Sequence, residues 1–305
     1  MRGYSPPHIK NKIFNYKKMR YVDLQCHTTA SDGKLTPSEL VNLAVEKWLS
    51  AIAITDHDTI NGISEALSAA SGKNIEVIPG VEISCDDEGF VDTHILGLFI
   101  DYKNKNLDDL LGKAKLCREE QKISIIKKFK NMGFKISYEE VRSIAKGEIG
   151  RPHIANVILK NNSDRVNSIG EIFDRYLAVG KKAYVERKHK IGVREAVNAI
   201  HSANGMVFAA HPGVYSNFNP EKFIDFFIEN GGDGIETYYA YECSRQKITV
   251  NERNALIKKF REIAKRFNLL ETGGSDFHGK DGQILGQLKV PYSVLEKLRK
   301  SLKCQ

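Results

Sequence analysis

The chain has 305 residues, 41% hydrophobic and 28% charged, which is typical of a globular protein with one large α/β domain or a domain with an insertion. The formal net charge of +8 suits an anionic partner such as a phosphate ester or nucleic acid, although a lysine-rich soluble surface gives the same value. There is no run of about 18 apolar residues and no apolar leader, and the five cysteines form no C-x-x-C pair. We therefore expect a cytoplasmic protein without membrane spans, disulfides or a zinc finger.

The first predicted elements are an arm and a strand. Residues 1–20 are polar, basic and interrupted by proline, which predicts a loosely held N-terminal arm. An apolar run then leads into residues 23–33, which are typical of a strand that ends in a loop. On such a strand successive side chains face opposite sides, so Asp23, Gln25 and His27 share one face, and Leu24 and Cys26 share the other. Buried polar groups need partners, and a metal ion is one candidate; a hydrogen-bonded structural histidine is the alternative.

The next elements alternate between helix and strand. A capping box at residues 36–39, with proline at the first helical position, predicts a helix start. The apolar run 51–55 is typical of a strand buried on both faces, and it ends abruptly in Asp56-His57-Asp58. Further strands are predicted at residues 77–84 and 94–100.

A charged, mainly helical block then interrupts this order. We interpret residues 104–190 as an inserted helical subdomain, in which Arg151-Pro152-His153 begins a helix with proline just inside its start. A helix near residues 192–204 restores the alternation. The remaining strands are predicted at 206–210, 234–238 and 269–274. Residues 21–103 and 191–305 are thus expected to form one α/β unit.

The order of these elements predicts the fold class. Seven strand segments alternate with helices, which favours a parallel sheet, either open or closed into a barrel. Nearly every histidine or acidic residue of interest directly follows the apolar part of a strand. In a β/α-barrel the carboxyl ends of the strands form one face, where active sites are assembled. The candidate ligands at these positions are Gln25, His27, Asp32, His57, Glu82, His94, His211, Asp276 and His278.

This ligand set predicts a metal centre. Mixed imidazole and carboxylate ligands suit Mn²⁺, Zn²⁺ or Fe²⁺ better than Ca²⁺ or Mg²⁺ alone. The ligands are too many for one ion, so we expect two or three ions that share a carboxylate. Such clusters activate water and neutralise a phosphoryl group during in-line attack. Motifs of competing chemistries are missing from the sequence: a P-loop, a G-x-S-x-G elbow and a G-x-G-x-x-G loop after a strand.

Six short stretches carry a family resemblance. They are Gln25-Cys26-His27 with Ser31-Asp32-Gly33, Thr55-Asp56-His57-Asp58-Thr59, Pro79-Gly80-Val81-Glu82, His94-Ile95-Leu96-Gly97, Ala210-His211-Pro212 and Gly274-Ser275-Asp276-Phe277-His278. In this order they resemble the PHP (polymerase and histidinol phosphatase) superfamily. The resemblance implies a distorted seven-stranded β/α-barrel, TIM-like, with a two- or three-metal centre. The inserted block is similar to the branch of nucleoside 3′,5′-bisphosphate phosphatases and 5′-to-3′ exoribonucleases (RNase AM).

The resemblance also implies how the ligands are shared. Around one ion it places Gln25, His27, Glu82 and Asp276. Around a second it places Asp32, His57 and His278, with Glu82 bridging, and around a third His94, His211 and Glu82. Gln25 departs from the family pattern, which has histidine there, and a neutral amide is a weaker ligand than imidazole. The first ion is then bound more weakly, or the amide oxygen is the ligand, or activity has faded; we predict that Gln25→His raises metal occupancy and turnover.

The expected chemistry is hydrolysis without a covalent intermediate, by hydroxide that the ions generate. The candidate catalytic residues are His211, Asp276 and His57, and either His211 or a metal-bound water protonates the leaving oxygen. Arg151 and His153 are candidates for binding a second phosphate, since arginine offers a bidentate fork. A helix start with a surface arginine is the alternative reading of that motif.

Two other segments have open interpretations. The basic run 187–190 could follow a nucleic-acid backbone or be a solvated charged surface. The tyrosines at 238, 239 and 241 could stack on a base or pack at a strand end.

The sequence therefore predicts a metal-dependent phosphoesterase that acts on a small phosphorylated nucleotide or the 5′ end of a short RNA, with no membrane partner. The enzyme alternative is a histidinol-phosphate or other small-molecule phosphatase of the same superfamily. The non-enzyme alternative, motivated by Gln25, is a catalytically weakened module that binds nucleic acid or nucleotides.

Overall fold

The structure, a computed structural model, describes residues 19–145, 149–243, 248–280 and 282–303. Most of the predicted arm at residues 1–20 lies outside this part of the chain. The strands are β1 (Tyr21–Cys26), β2 (Ala51–Ile54), β3 (Glu76–Asp87), β4 (Phe90–Leu98), β5 (Met206–Ala209), β6 (Gly234–Tyr239), β7 (Leu270–Gly274) and β8 (Val290–Pro291). The helices are α1 (Pro37–Glu46), α2 (Ile63–Ala70), α3 (Lys105–Asn131), α4 (Tyr138–Ile144), α5 (Arg151–Asn161), α6 (Ile169–Ile172), α7 (Val193–Ser202), α8 (Pro220–Glu229), α9 (Val250–Arg266) and α10 (Tyr292–Leu302).

The strands form a single, nearly closed sheet. Their order is β7-β6-β5-β4-β3-β2-β1-β8. β7 and β1 also meet, because the backbone N–H of His27 donates to the carbonyl of Phe277 at 2.8 Å, just beyond these two strands. Seven strands thus make the predicted distorted barrel, and the two-residue β8 pairs antiparallel with β1 at its edge.

The prediction of a parallel sheet is wrong for one strand of the barrel. β4 runs antiparallel to both β3 and β5. The reason is the length of the connection: β3 extends to Asp87 and β4 begins at Phe90, so only Glu88 and Gly89 join them. A two-residue connection makes a hairpin, whereas a parallel crossover needs about a dozen residues or more.

Apolar side chains on the two faces of the sheet build two cores. One cluster fills the barrel interior and includes residues of β1 to β5 together with α10, which packs across the amino-terminal ends of the strands. The other lies between the sheet and helices α1, α2, α7 and α8. Leu24 belongs to the first cluster and Cys26 to the second, so the predicted shared face of these two residues is wrong. The register of β1 against β2 shifts between Asp23 and Cys26, and this irregularity breaks the alternation.

The helical block has an apolar core of its own. Residues of α3, α4, α5, α6 and the π-helical turn Phe173–Leu177 form a separate cluster. The long helix α3 joins the two units, since its first half packs on the barrel and its second half in the separate cluster. The boundary of the insertion at residue 104 stays a prediction, and the structure places the change of core within α3.

In the described residues no helix combines the length and apolar character that a membrane span requires.

Candidate metal centre

The barrel brings eight of the predicted ligands to one mouth. His27, His57 and His211 lie within the first few residues after β1, β2 and β5, and Glu82 and His94 lie on the paired strands β3 and β4. The other three lie in the loops after β1 and β7: Asp32, Asp276 and His278. These loops meet because parallel strands present their carboxyl ends at the same face of the barrel.

Glu82 is the centre of this cluster. Its side chain is fully buried, and its Oε1 atom lies 2.9 Å from His94 Nδ1 and 2.8 Å from His211 Nε2. Its Oε2 atom lies 3.0 Å from His27 Nε2 and 3.7 Å from His57 Nδ1. One carboxylate therefore faces four imidazoles with both oxygens, which is the arrangement expected of a bridging ligand.

The remaining ligands extend the cluster towards solvent. His27 Nε2 also lies 2.9 Å from Asp276 Oδ1, and His278 Nε2 lies 3.0 Å from Asp32 Oδ1. The rings of His27 and His278 stack with centroids 4.1 Å apart. Because the Asp32 side chain is 50% exposed while His27 is fully buried, the cluster is closed at the barrel side and open at the Asp32 side.

The donor set fits metal ions. Three groups have their donor atoms within 4.8 Å of one another: His27, Asp32, His57 and His278; His57, Glu82 and His94; and His27, Glu82 and Asp276. Although these atoms lie close together, Glu82 Oε2, Asp276 Oδ1 and His27 Nε2 make no well-aligned hydrogen bond. Buried lone pairs that converge without hydrogen-bonding one another are costly unless a cation lies between them.

The pKa shifts of three histidines in the cluster also support a site for cations. Burial lowers the pKa of His27, but the carboxylates of Asp276 and Glu82 close to its ring outweigh this and raise it well above its ordinary value. Burial also lowers the pKa of His94, but the negative charge of Glu82 outweighs this effect and raises that pKa to about 9. Burial together with the neighbouring imidazolium groups lowers the pKa of His57 to about 4. Without ions, protons on His27 and His94 thus provide the positive charge that balances the carboxylates.

Gln25 is the ninth predicted ligand, and it lies in β1 two residues before His27. Its side chain is completely buried, yet neither its amide oxygen nor its amide nitrogen has a hydrogen-bond partner in the described residues. Its backbone packs against Gly274, where an added Cβ would lie 2.4 Å from the Gln25 nitrogen. The amide is thus buried with its hydrogen-bonding capacity unused in the described residues.

Buried carboxylates anchor the loops that carry the ligands. Asp56 accepts hydrogen bonds from the Thr28 backbone at 2.7 Å, the Thr28 hydroxyl at 2.7 Å and the Ser31 hydroxyl at 2.6 Å, and so fixes the loop before Asp32. Asp23 accepts from the backbone and the hydroxyl of Ser275, beside Asp276. Asp56 lies within one of the predicted motifs and Asp23 on the predicted polar face of the first strand, and both position loops through these hydrogen bonds.

Asp58 joins the barrel to the helical insertion. It accepts hydrogen bonds from the backbone and hydroxyl of Ser84 and forms an ion pair with Arg118 of α3. Sequence analysis missed Arg118, because one arginine among many charged residues of a long helix carries no signal. This contact places the insertion directly beside His57.

Two of the predicted ligands have backbone conformations that non-glycine residues rarely adopt. His211 has a φ of 30° and Asp276 a φ of 52°. Glu236 of β6, which was not predicted as a site residue, accepts a hydrogen bond from the His211 backbone N–H at 2.9 Å. The Tyr239 hydroxyl donates to Asp276 at 2.8 Å. Such contacts maintain strained backbone where a side chain must point into a site.

Two cavities of about 810 Å³ each open from the cluster, and Asp32, His57 and His94 line both. The first, which we call the insertion cavity, is further lined by Thr29, Ser31, Gly33, Lys34, Asp58, Ser84, Arg118, Ile144 and His153. The second, the outer cavity, is further lined by Val91, Asp92, His211, Val214, Tyr215, Ser216, Asn217, Tyr239, Cys243, Asp276, His278, Lys280 and Gln283.

The predicted phosphate-binding residues differ in their positions. His153 lines the insertion cavity, whereas Arg151 is exposed and is not among the residues that line it. The Gly150 backbone N–H donates to His153 Nδ1 at 2.9 Å. The neutral ring therefore carries its proton on Nε2. Burial and the positive charge of Lys122 lower the pKa of His153, which favours this neutral form.

The two segments with open interpretations have partners within the chain. Arg187, Lys188 and Lys190 form ion pairs with Asp86, Glu120 and Glu186, and His189 lies 3.4 Å from Glu195. The run 187–190 thus connects the insertion to the barrel. Tyr239 and Tyr241 are buried and pack edge to face with centroids 4.8 Å apart, and Tyr238 is partly buried next to Arg261.

The fold and the cluster together define a barrel of the metal-dependent hydrolase type. More particularly, the chain belongs to the PHP domain family, whose model matches residues 23–190. The resemblance found in the sequence motifs is thereby confirmed.

Known relatives cover most of the chain. It is 38% identical to the 5′-3′ exoribonuclease of Haemophilus influenzae over 264 residues, which are 86% of this chain and 91% of the relative. It is 31% identical to the 3′,5′-nucleoside bisphosphate phosphatase of Chromobacterium violaceum over 281 residues, 88% and 91% of the two chains. A crystal structure assigned to a metal-dependent phosphoesterase of Bifidobacterium adolescentis superposes with a TM-score of 0.69 at 27% identity, and covers 91% of this chain and 95% of that one.

Proposed function

We propose that this protein is a metal-dependent hydrolase of phosphate esters whose substrates are 5′-phosphorylated nucleotides, namely the 5′ ends of short RNA and nucleoside 3′,5′-bisphosphates. The observation that carries the proposal is the buried Glu82 carboxylate, which four imidazoles face at the mouth of the barrel. The names of the two relatives describe these two substrate types. We also propose a cytoplasmic location, because the four cysteines in the described residues are free thiols.

The ions we propose are two or three divalent cations, Mn²⁺ first, with Zn²⁺ or Fe²⁺ as alternatives, because the donors mix imidazole and carboxylate. The residues that would hold them are Gln25, His27, Asp32, His57, Glu82, His94, His211, Asp276 and His278. When bound, such ions supply an activated water and neutralise charge on the phosphoryl oxygens. Glu82 is suited to sharing between ions, since burial raises its pKa but the imidazoles around it keep it well below the ordinary value.

The chain's own residues position the substrate and move protons. We assign to His211, which lines the outer cavity next to Glu82, the protonation of the leaving oxygen. Asp276 and His57 flank the same opening and orient the attacking water. We assign to His153 Nε2–H and Arg118 the binding of a second phosphate in the insertion cavity, because charge-assisted hydrogen bonds are strong. Arg151, exposed at the start of α5, is proposed to contact substrate outside that cavity.

A substrate panel on metal-quantified protein tests this proposal. A nucleoside 3′,5′-bisphosphate, a short 5′-phosphorylated RNA and histidinol phosphate are each incubated with Mn²⁺ or with chelator. We expect Mn²⁺-dependent hydrolysis of the first two, loss of it in His27→Ala, and retention in His201→Gln, a control on the far end of α7. Preferential hydrolysis of histidinol phosphate contradicts the substrate assignment. Tight RNA binding without any hydrolysis supports the non-enzymatic module instead.

A further inference from the structure

The cluster lies between two cavities of equal size, and this arrangement bears on which substrates it accepts. Each cavity measures about 810 Å³, within the range that small-ligand sites usually have. Because Asp32, His57 and His94 line both, a phosphorus atom at the cluster can carry one substituent into each cavity. A phosphate monoester has only one such organic substituent, whereas a phosphodiester has two.

The two cavities differ in charge. The insertion cavity sets two cations, Lys34 and Arg118, against Asp32 and Asp58, of which Arg118 and Asp58 form an ion pair, and it adds the Nε2–H donor of His153. The outer cavity adds Asp92 and Asp276, and its Lys280 ammonium is paired with Asp32 at 3.2 Å. A terminal phosphate carries about −1.5 to −2 charges at neutral pH. The terminal phosphate of a substrate is therefore more stable in the insertion cavity than in the outer one.

The outer cavity has the polar and aromatic lining that a nucleoside needs. Ser216 and Asn217 are exposed at its rim, and Tyr215 is buried at its wall, where its hydroxyl accepts from the His94 backbone N–H at 2.8 Å. Val91 and Gln283 add an apolar and an amide group to this lining. Uncharged donors, acceptors and apolar surface suit a base and a ribose more than a second dianion.

We propose that the outer cavity is the subsite for the RNA chain beyond the scissile phosphate, and that it determines whether the enzyme cleaves a diester or a monoester. This inference rests on the function proposed above. In either substrate the 5′-terminal nucleotide occupies the insertion cavity with its 5′-phosphate on Arg118, Lys34 and His153. In RNA the next nucleoside occupies the outer cavity, and in a nucleoside bisphosphate that cavity holds only solvent.

The same bond breaks in both substrates. The water oxygen forms a bond to phosphorus and gives up one proton. The bond from phosphorus to O3′ of the terminal nucleotide breaks, and O3′ keeps the electron pair of that bond and takes up one proton from His211. The phosphate stays on the next nucleoside of RNA as a new 5′-phosphate, or leaves as inorganic phosphate from a bisphosphate. The nucleoside 5′-monophosphate is the common product, and the shortened RNA carries the 5′-phosphate that the insertion cavity requires.

A pair of variants separates the two subsites. Ser216→Trp fills the outer cavity, and we expect it to lower kcat/KM for a 5′-phosphorylated dinucleotide at least about tenfold, the change that about 1.4 kcal/mol produces, and that for a nucleoside 3′,5′-bisphosphate by less than about threefold. Lys34→Gln should lower both values by similar factors. Ser71→Trp is the matched control, because Ser71 is exposed and lines neither cavity, and it should alter neither substrate.

The outcomes are distinguishable from failure of the proposed function. If wild-type protein hydrolyses neither substrate, the function itself is wrong. If the wild type hydrolyses both but Ser216→Trp changes the two values equally, or changes neither, the assignment of the outer cavity is overturned. Asn217→Ala, which leaves the cavity open, is a second test. It should raise KM for the dinucleotide while kcat stays within about twofold of wild type. A fall in kcat alone contradicts a binding role for Asn217.

Discussion

Gln25 provides the most direct test of the metal centre. Its buried amide has two atoms without hydrogen-bond partners in the described residues. Leaving a buried polar atom unsatisfied costs about 1–3 kcal/mol. Replacement by leucine, which has a similar size and no polar atoms, should therefore make the metal-free protein about 2–6 kcal/mol more stable, with the upper value reached only if no water satisfies the amide.

The effect on ion binding should have the opposite sign. If the amide oxygen is a ligand beside His27, Gln25→Leu removes it and Gln25→His replaces it with a stronger one. Changes around a metal site alter affinity by about 10–100-fold, or about 1.4–2.7 kcal/mol. We expect retained metal to increase in the order leucine, glutamine, histidine, and Mn²⁺-dependent turnover to follow the same order.

Two measurements check this pair of expectations. Urea unfolding in chelator gives the stability of the metal-free forms, and elemental analysis after desalting gives the metal retained per chain. Equal metal content in all three proteins, together with a metal-free leucine variant less stable than wild type, would refute the reasoning, since the amide would then be satisfied within the protein and be no ligand.

Three further results are expected. Metal binding at about pH 7 should release protons, because the nearby carboxylates raise the pKa values of His27 and His94 in the metal-free protein. Calorimetry in buffers of different ionisation enthalpy measures this release, and a binding heat that does not depend on the buffer argues against it. The hydrogen bond to Asp233 raises the pKa of His201, so its contribution to stability is fully present below the ordinary value of 6.5 and is lost as pH rises through the raised value. The stability difference between wild type and His201→Gln, below about 1 kcal/mol for this half-exposed pair, should therefore shrink as pH rises above the ordinary value, whereas a constant difference indicates another cause. Gly274→Ala should destabilise the protein by about 1–3 kcal/mol, because its Cβ would lie 2.4 Å from the β1 backbone; unchanged thermal unfolding contradicts that packing.

Periodicity and strand ends were sufficient to predict much of the fold. The apolar run that became β2 and the proline-capped helix α1 have strong local signals, because burial on both faces and a capping box each leave a distinct pattern. The direction of β4 has no such signal. It depends on how far β3 and β4 extend towards their hairpin, and strand ends are poorly determined by composition.

The candidate site, like the fold, has features that the sequence predicts and others that it does not. Histidines after strands predicted where the candidate ligands gather, but neighbouring polar residues have different roles. His57 faces Glu82, whereas Asp56 holds the loop after β1 and Asp58 binds Ser84 of β3. The position of a residue along its strand predicts at which end of the barrel it lies. The atom that its side chain contacts depends on how the loops pack, which the sequence pattern does not show. Arg118 reaches the site from a distant helix, and no local pattern records such a contact.

The separate apolar core of the helical insertion has an evolutionary consequence. The barrel contributes the cluster, while His153 comes from a unit that packs largely on itself and Arg118 from the part of α3 that is paired with Asp58 of the barrel. Mutations within that unit can therefore reshape recognition while the reactive groups stay in place. A lineage that carries this architecture can diversify its substrates gradually, since drift in one module leaves the chemistry of the other intact.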